Sequence, residues 1–123
     1  MATQYEKSDF TKHFVNLASQ RLGAIIQEVT DDFFAEAKRM LQDSEPVFQA
    51  DRFDDHGKWM DGWESRRKRE PGYDFAVIQL GARGIVRGVE IDTRHFTGNF
   101  PPQASLQGLD RRSGKTHSQE KWE

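Results

Sequence analysis

The chain has 123 residues, which is the length of one domain with a modest core. Its 18 basic and 20 acidic residues give a net charge of −2, so no global field attracts nucleic acids or anionic membranes and partners must be recognised locally. The absence of cysteine excludes disulfides and thiolate metal sites and favours a cytoplasmic location. No apolar run has the length of a signal peptide or a membrane span, which predicts a soluble, unexported protein.

The first part of the sequence predicts two short helices separated by a strand. Residues 14–22, "FVNLASQRL", place apolar side chains at near-helical spacing and are followed by Gly23. The next residues, "AIIQEV", have the composition of a short apolar strand. In "TDDFFAEAKRML", Thr30, Asp31 or Asp32 can cap a second short helix that would pack by its aromatic side.

The second part of the sequence predicts strands. Residues 51–58, "DRFDDHGK", have a loop composition, whereas residues 75–80 alternate like a strand that is covered on both faces. Residues 85–93 alternate apolar with acidic side chains, as a half-buried strand does, and glycines bracket the connection between the two segments. We therefore expect residues 75–80 and 85–93 to form an antiparallel hairpin. A last short strand is expected in residues 103–108, "QASLQG".

Residues 57–69, "GKWMDGWESRRKR", combine tryptophans, carboxylates and basic side chains in one short stretch. Exposed indoles gain nothing in a solvated loop, and unpaired charges are costly to bury, so this stretch predicts a site or an interface. Plainer interpretations stay open. The run of basic residues is typical of a solvated loop or strand edge, Trp59 and Trp63 can serve core packing, and Asp61 before Gly62 is typical of a turn.

Five motifs occur in order along the chain: "FVNLASQRLG", "TDDFFA", "GKWMDGWESRRKR", "PGYDFAVIQLG" and "GIVRGVEIDTRHFTGNFPP". Together they closely resemble the amino-terminal part of allantoicase, or allantoate amidinohydrolase, over residues 14–108. The resemblance implies an all-β fold, a jelly-roll β-sandwich of the galactose-binding type, with one or two short helices near the N-terminus. It also implies the hydrolysis of allantoate to ureidoglycolate and urea.

The resemblance also implies a domain organisation. Allantoicases look like two related modules in one longer chain, so the sandwich is expected to be incomplete here. Residues 1–13 are expected to form an N-terminal extension, residues 14–108 a partial module, and residues 109–123 a polar tail that does not match the family. A homo-oligomer is expected for the full-length form.

The chemistry of the implied substrate selects candidate site residues. Allantoate carries a carboxylate and two ureido groups on one carbon. Its hydrolysis needs an arginine for the carboxylate, acceptors for the ureido N–H groups, and a group that transfers protons. The catalytic candidates are Asp61, Glu64 and His56, and the substrate-binding candidates are Arg66, Arg67, Lys58 and Trp63. Asp31 and Asp32 are interpreted as helix caps rather than ligands.

No cofactor is expected from the sequence. A divalent metal site from Asp54, Asp55, His56, Asp92 and His95 is chemically conceivable, but no HxH or HExxH spacing supports it, so no metal ligand is assigned. No phosphate loop, nucleophile elbow or dinucleotide fingerprint occurs.

Two other classes of function stay open. The first is a non-catalytic jelly-roll module, or an inactive truncated product, in which the same loop residues would bind a sugar or a similar polar ligand without turnover. The second is a nucleic-acid binder built on residues 66–69, which the net charge of −2 and the flanking acidic residues disfavour.

Overall fold

The computed structural model describes residues 9–111 and 122, and this part of the chain consists mostly of short strands and irregular segments. The described strands are β1 (Ile25–Val29), β2 (Phe53–Asp54), β3 (Gly57–Lys58) and β4 (Ala76–Gln79). The described helices are short 3-10 turns at Asp9–Lys12, Gln20–Leu22 and Ala37–Leu41. Strands with a few short helices near the N-terminus agree with the predicted all-β class. Within the described part, no helix is long and apolar enough to cross a membrane.

β1 and β4 form the main antiparallel pair. Ile26 lies opposite Ile78 and Val29 opposite Ala76, with an irregularity in the register between Ile26 and Glu28. β-Branched side chains favour such a ladder because they pack well on a pleated surface. The backbone N–H of Thr30 extends the pairing by donating to the carbonyl of Phe75 at 3.0 Å. The strands predicted in "AIIQEV" and in residues 75–80 are therefore confirmed.

The predicted partner of β4 is wrong. Residues 85–93 form no strand, and the side chains of Ile85 and Ile91 are 75% and 58% exposed. The backbone N–H of Gly81 donates to the carbonyl of Leu17 at 2.9 Å, which directs the chain after β4 toward the segment that precedes β1. A hairpin with residues 85–93 would require the chain to turn back along β4 instead. The strand predicted in residues 103–108 is also absent from the structure.

The first predicted helix is shorter than expected. Only Gln20–Leu22 is helical, with the Ser19 hydroxyl accepting from the backbone N–H of Arg21 at 3.1 Å. The predicted end is confirmed, because Gly23 adopts a left-handed conformation with φ of 108° that an L side chain rarely tolerates. Earlier in the segment, the Asn16 side chain accepts from the N–H of Ala18 at 3.1 Å. This local bond competes with helix formation and explains why the helix does not begin at residue 14.

The second predicted helix is confirmed as a short 3-10 turn, Ala37–Leu41. The predicted cap at Thr30, Asp31 or Asp32 is wrong in position, because the N-cap residue is Glu36 and its side chain makes no capping bond. The carboxylate of Asp32 accepts from the backbone N–H of Ala37 at 3.0 Å from outside the cap position and so satisfies one donor at the start of the helix. Ala37 and Leu41 are buried, whereas Met40 and Phe33 are exposed. The helix thus packs by its aliphatic residues, and the predicted aromatic packing side is wrong.

Residues 51–58 form a small hairpin of β2 and β3 rather than the predicted loop. The Asp54 carboxylate accepts from the N–H of His56 at 2.8 Å, which closes the turn locally. Gly57 follows with φ of 123°, a conformation that favours glycine. The hairpin could not be predicted from the sequence because short polar strands lack the apolar alternation that marks longer ones.

The buried core of the described residues is small. Its apolar members are Ala24, Ala35, Ala37, Leu41, Met60 and Phe96. Ala35, Ala37 and Leu41 lie in or beside the Ala37–Leu41 helix, Met60 lies in the "GKWMDGWESRRKR" motif, and Ala24 directly precedes β1. Asp110, in the predicted polar tail, is held by two hydrogen bonds from Arg83 at 2.9 and 2.8 Å. Residues 112–121 and 123 of that tail, and residues 1–8 of the predicted extension, lie outside the described residues.

Candidate functional site

The backbone of Glu64 is fixed by an antiparallel bridge to Ala35. The N–H of Glu64 donates to the carbonyl of Ala35, and the N–H of Ala35 donates to the carbonyl of Glu64, both at 3.1 Å. Ala35 is buried, so the bridge ties the "GKWMDGWESRRKR" segment to the core next to the Ala37–Leu41 helix. The position of the Glu64 side chain is therefore set by the folded core rather than by a free loop.

The carboxylate of Glu64 meets the side chain of Asn99. The amide nitrogen of Asn99 donates a hydrogen bond to Oε2 of Glu64. Asn99 is not among the candidates chosen from the sequence, although it belongs to the "RHFTGNFPP" motif. The sequence shows that an amide lies in a segment rich in turn residues and can donate to a carboxylate, but it does not show which carboxylate that is. The candidates were chosen as groups that transfer protons, clamp a carboxylate or shield the site, and an uncharged amide fits none of these roles.

Arg66 lies beside Asp31. Nε of Arg66 donates to Oδ2 of Asp31 at 2.7 Å, and the backbone N–H of Arg66 reaches Oδ1 at 3.4 Å. The side chain of Asp31 is 15% exposed, whereas that of Arg66 is 64% exposed. The hydrogen bond from the backbone N–H of Phe33 lowers the pKa of Asp31 below its usual value, and Arg66 adds to this effect against the opposing influence of burial. Asp31 is therefore an anion at neutral pH.

Aromatic rings extend this surface. The rings of Phe33 and His56 stack with centroids 4.3 Å apart and planes at 13°. The guanidinium carbon of Arg66 lies 5.4 Å from the centroid of the same Phe33 ring. The indole N–H of the half-buried Trp63 donates to the backbone carbonyl of Asp31 at 2.7 Å. His56, Trp63 and Arg66, all candidates from the sequence, therefore lie in one cluster around Asp31 and Phe33, whereas the carboxylate of Glu64 contacts Asn99.

The other candidates lie elsewhere. The Asp61 carboxylate accepts from the backbone N–H of Val47 at 3.0 Å, and Nζ of Lys58 lies 4.5 Å from the centroid of the Phe48 ring. Both side chains thus face the segment of residues 46–48 instead of the Glu64 carboxylate. Arg67 is exposed and makes no hydrogen bond or ion pair with the part of the chain that the structure describes.

Residues 15–123 match the family model described as "Allantoicase: Allantoicase repeat". The chain belongs to the allantoicase family. The resemblance inferred from the five motifs is therefore confirmed. The domain boundaries predicted after residues 13 and 108 stay predictions, and the matched range ends at residue 123.

Several relatives support this assignment to the allantoicase family. The chain is 53% identical over 116 residues to a probable allantoicase of Acinetobacter baylyi, covering 94% of this chain and 35% of that protein. It is 53% identical over 114 residues to probable allantoicase 1 of Burkholderia mallei, covering 93% and 34%. For a probable allantoicase of Pseudomonas savastanoi pv. phaseolicola, the identity is 57% over 109 residues, covering 89% and 33%. The chain thus spans about a third of the length of these relatives.

One solved structure, of an allantoicase, is also similar to the chain. It is 31% identical in sequence and gives a TM-score of 0.45. The match covers 55% of this chain and 18% of that one.

Trp59 has a different environment from Trp63 in this allantoicase-family chain. The guanidinium carbons of Arg52 and Arg39 lie 4.1 and 5.5 Å from the centroid of its ring. Arg39 also donates to the carbonyl of the buried Met60 at 2.8 Å. These contacts connect the Ala37–Leu41 helix with the β2–β3 hairpin. They support the packing interpretation of Trp59 that the sequence left open.

Arg94 joins two further segments of the allantoicase-family chain. It donates to Glu45 at 2.7 Å and to Asp92 at 3.0 Å. Burial of Arg94 opposes its charge, but the hydrogen bonds to the two carboxylates raise its pKa above the usual value. The adjacent His95 has a φ of 73°, and its ring stacks on Phe48 with centroids 5.7 Å apart. Asp92 and His95 are thus engaged in separate contacts.

The described residues contain no group of three or more His, Asp or Glu side chains that could hold a metal ion. The metal set considered from the sequence is divided between the β2–β3 hairpin, which carries Asp54, Asp55 and His56, and the segment around Arg94. That no metal or other cofactor is needed stays a prediction.

Proposed function

We propose that this chain forms part of the active site of an enzyme that hydrolyses allantoate to ureidoglycolate and urea. Membership of the allantoicase family supports the activity and the substrate. The observation that carries the site assignment is the Ala35–Glu64 bridge, because it fixes the backbone of Glu64, two residues before Arg66, while Asn99 holds the carboxylate of Glu64.

The reaction breaks the bond between the central carbon of allantoate and one ureido nitrogen. The oxygen of water becomes bonded to that carbon, and the departing nitrogen takes up a proton to give urea. In the proposed roles, the terminal nitrogens of Arg66 bind the substrate carboxylate as a planar pair of donors. Glu64 accepts a proton from water or a hydrogen bond from a ureido N–H.

His56 and Asp61 are proposed to assist from neighbouring positions. The imidazole of His56 is stacked on Phe33, whose ring also lies beside the guanidinium of Arg66, so a ring nitrogen of His56 can serve as a proton donor or acceptor there. Two residues separate Asp61 from Glu64, and the carboxylate of Asp61 accepts a hydrogen bond from the backbone N–H of Val47. A role for Asp61 therefore requires the substrate to reach the segment of residues 46–48. Lys58, Trp63 and Arg67 are proposed to surround the substrate as donors and as a barrier to water.

We further propose that the fold is a jelly-roll β-sandwich of the galactose-binding type, to which β1–β4 contribute. The antiparallel pairing of β1 with β4 and membership of the allantoicase family support it. We propose a cytoplasmic location, which the absence of cysteine supports. We also propose that the full-length form is a homo-oligomer and that it has no nucleic-acid or membrane partner.

Ion pairs weaken the case for a nucleic-acid binder. In the basic run of residues 66–69, Arg66 pairs with Asp31 at 2.7 Å and Lys68 with Asp74 at 3.6 Å. Half of the run is therefore neutralised by neighbouring carboxylates, which reduces its attraction for phosphate groups.

The activity can be tested with a grafted enzyme, in which residues 15–108 of this chain replace the matched segment of the Acinetobacter baylyi relative. An identity of 53% between the two sequences makes the exchange conservative. We expect the grafted enzyme to release urea from allantoate, and the 123-residue chain alone to release little or none. Circular dichroism verifies folding, and the unaltered relative is the positive control.

Two outcomes would contradict the proposal. A folded grafted enzyme that releases no urea, while the unaltered relative does, would remove the activity from this chain. A grafted enzyme that binds allantoate without releasing urea would instead support the non-catalytic binding module.

A further inference from the structure

Asp31 binds the Trp63–Arg66 segment at both ends. Its backbone carbonyl accepts from the indole of Trp63 at 2.7 Å, and its carboxylate accepts from Nε of Arg66 at 2.7 Å. The second carboxylate oxygen accepts from the backbone N–H of Phe33 at 3.0 Å. Asp31 is thus itself held in place while it holds the other two side chains.

The hydrogen bond to Nε leaves the opposite end of the guanidinium available. Arginine has five N–H donors, of which one is on Nε and four are on the terminal nitrogens. Within the described residues, the hydrogen bonds of the Arg66 side chain are made by Nε alone. The side chain remains 64% exposed, and its guanidinium carbon lies 5.4 Å from the Phe33 centroid. The terminal pair can therefore receive a planar anion from solvent.

A fixed arginine binds a carboxylate better than a free one. A long side chain loses rotamer freedom when it is immobilised by a ligand, and holding it in the bound geometry beforehand removes part of that loss. The carboxylate of Asp31 and the ring of Phe33 restrict the rotation of Arg66 in this way.

We propose that Asp31 is a positioning residue that directs the terminal nitrogens of Arg66 toward the carboxylate of the substrate. The inference rests on the proposed function for the identity of that substrate. It assigns to Asp31 a role that the cap interpretation of the sequence did not include. Asp31 acts through Arg66 and does not touch the substrate.

The test uses the grafted enzyme, which carries residues 15–108 of this chain and is called wild type here, and compares it with its Asp31→Asn, Arg66→Lys and double variants. Asp31→Asn keeps the oxygens that accept from Phe33 and Trp63 but loses the charge that fixes Arg66. The matched control is Asp32→Asn, the same change at the adjacent residue, whose carboxylate accepts from Ala37 instead.

Three quantities are measured: the dissociation constant for allantoate, the melting temperature, and the exchange of the Arg66 Nε–H proton with water by NMR. We expect Asp31→Asn to weaken binding about tenfold. We also expect its melting temperature to fall only slightly, through the lost charge of Asp31, and its Nε–H exchange to become fast. Asp32→Asn should leave the binding and the Nε–H exchange unchanged. In the Arg66→Lys background, Asp31→Asn should have less than a twofold further effect on binding, because coupled residues are not additive.

Each remaining outcome decides the question. Wild-type binding by Asp31→Asn, fully additive effects in the double variant, or rapid Nε–H exchange in wild type would overturn the positioning role. The wild-type protein could fail to bind allantoate while its Nε–H exchange is slow and becomes fast only in Asp31→Asn. This result would keep the positioning role. That outcome would count against the proposed substrate instead.

Discussion

The side-chain amide of Asn99 donates a hydrogen bond to the carboxylate of Glu64, 35 positions earlier in the sequence. Two of the motifs that resemble allantoicases are thereby brought into direct contact. The same glutamate is fixed through its backbone to the buried Ala35. Glu64 is therefore held from two sides, which is the arrangement expected of a side chain that must meet a substrate in one geometry.

Replacing Asn99 by aspartate should disturb Glu64 specifically. The change places a second carboxylate against the first, and like charges in contact repel each other. In the grafted enzyme, we expect Asn99→Asp to lower urea release by at least about tenfold with a small change in melting temperature, because it removes the donor to Glu64 and repels its carboxylate. Gln103→Glu adds the same charge at an exposed position and is the matched control. Equal activity of the two variants would contradict this role of Asn99.

Gly81 should not tolerate a side chain. A Cβ at this position would lie 2.7 Å from the backbone carbonyl oxygen of Leu22, which cannot move without shifting the chain. We expect Gly81→Ala to destabilise the fold by about 1–3 kcal/mol, measured as the midpoint of denaturant unfolding. At Gly98 an added Cβ meets nothing within 4 Å, so Gly98→Ala serves as the control. Equal midpoints for the two variants would show that the contact at Gly81 does not form.

The stability of the chain should depend on pH through Asp31. The bond from the N–H of Phe33, aided by Arg66, lowers the pKa of Asp31, so folding favours its ionised form. The resulting stabilisation is fully present above the unfolded pKa of about 3.9 and is lost as the pH falls through the lower folded value. The difference in melting temperature between wild type and Asp31→Asn should therefore be constant from about pH 5 to 7 and shrink below about pH 4. A difference that is unchanged or larger in acid would contradict this assignment.

The isolated chain is expected to self-associate or to melt without cooperativity. The described part has a two-stranded β1–β4 pair with open edges, and apolar side chains such as Val15, Ile85 and Val89 are exposed. Sedimentation at increasing concentrations should show a rising average mass, and Val89→Lys should reduce it more than the control Gln107→Lys. A monomer with a cooperative transition at every concentration would contradict this expectation.

Three local features of the fold could be predicted from the sequence. The apolar run of β1, the alternation in β4 and the helix end at Gly23 depend on neighbours in the chain, and all three are present in the structure. The partner of β4 depends on how distant segments meet. Alternation in residues 85–93 indicates which side chains are apolar but not which segment lies beside them. The hydrogen bond from Gly81 to Leu17 directs the chain after β4 toward the segment before β1 and away from a hairpin.

The candidate site shows the same limit. Its centre could be found from the sequence because Glu64 and Arg66 lie in one unusual motif. Their partners could not, since Asp31 and Asn99 are each 35 positions away from the residue they contact. An aspartate before a helix satisfies the cap pattern equally well whether or not an arginine binds it. The bridge between Ala35 and Glu64 and the bonds from Trp63 and Arg66 to Asp31 reveal that these two segments are adjacent.

The central claim is that residues 57–69 line the allantoate site rather than only support the fold. Its most direct test is urea release and melting temperature measured together on Asp61→Asn, Glu64→Gln and Arg66→Lys in the grafted enzyme. We expect unchanged melting temperatures and a turnover lowered about 10²–10⁴-fold for whichever of the two carboxylates transfers a proton. Arg66→Lys should weaken substrate affinity, because lysine keeps the charge but loses the paired donors. Wild-type turnover and affinity in all three variants, or losses explained entirely by lower melting temperatures, would contradict the claim.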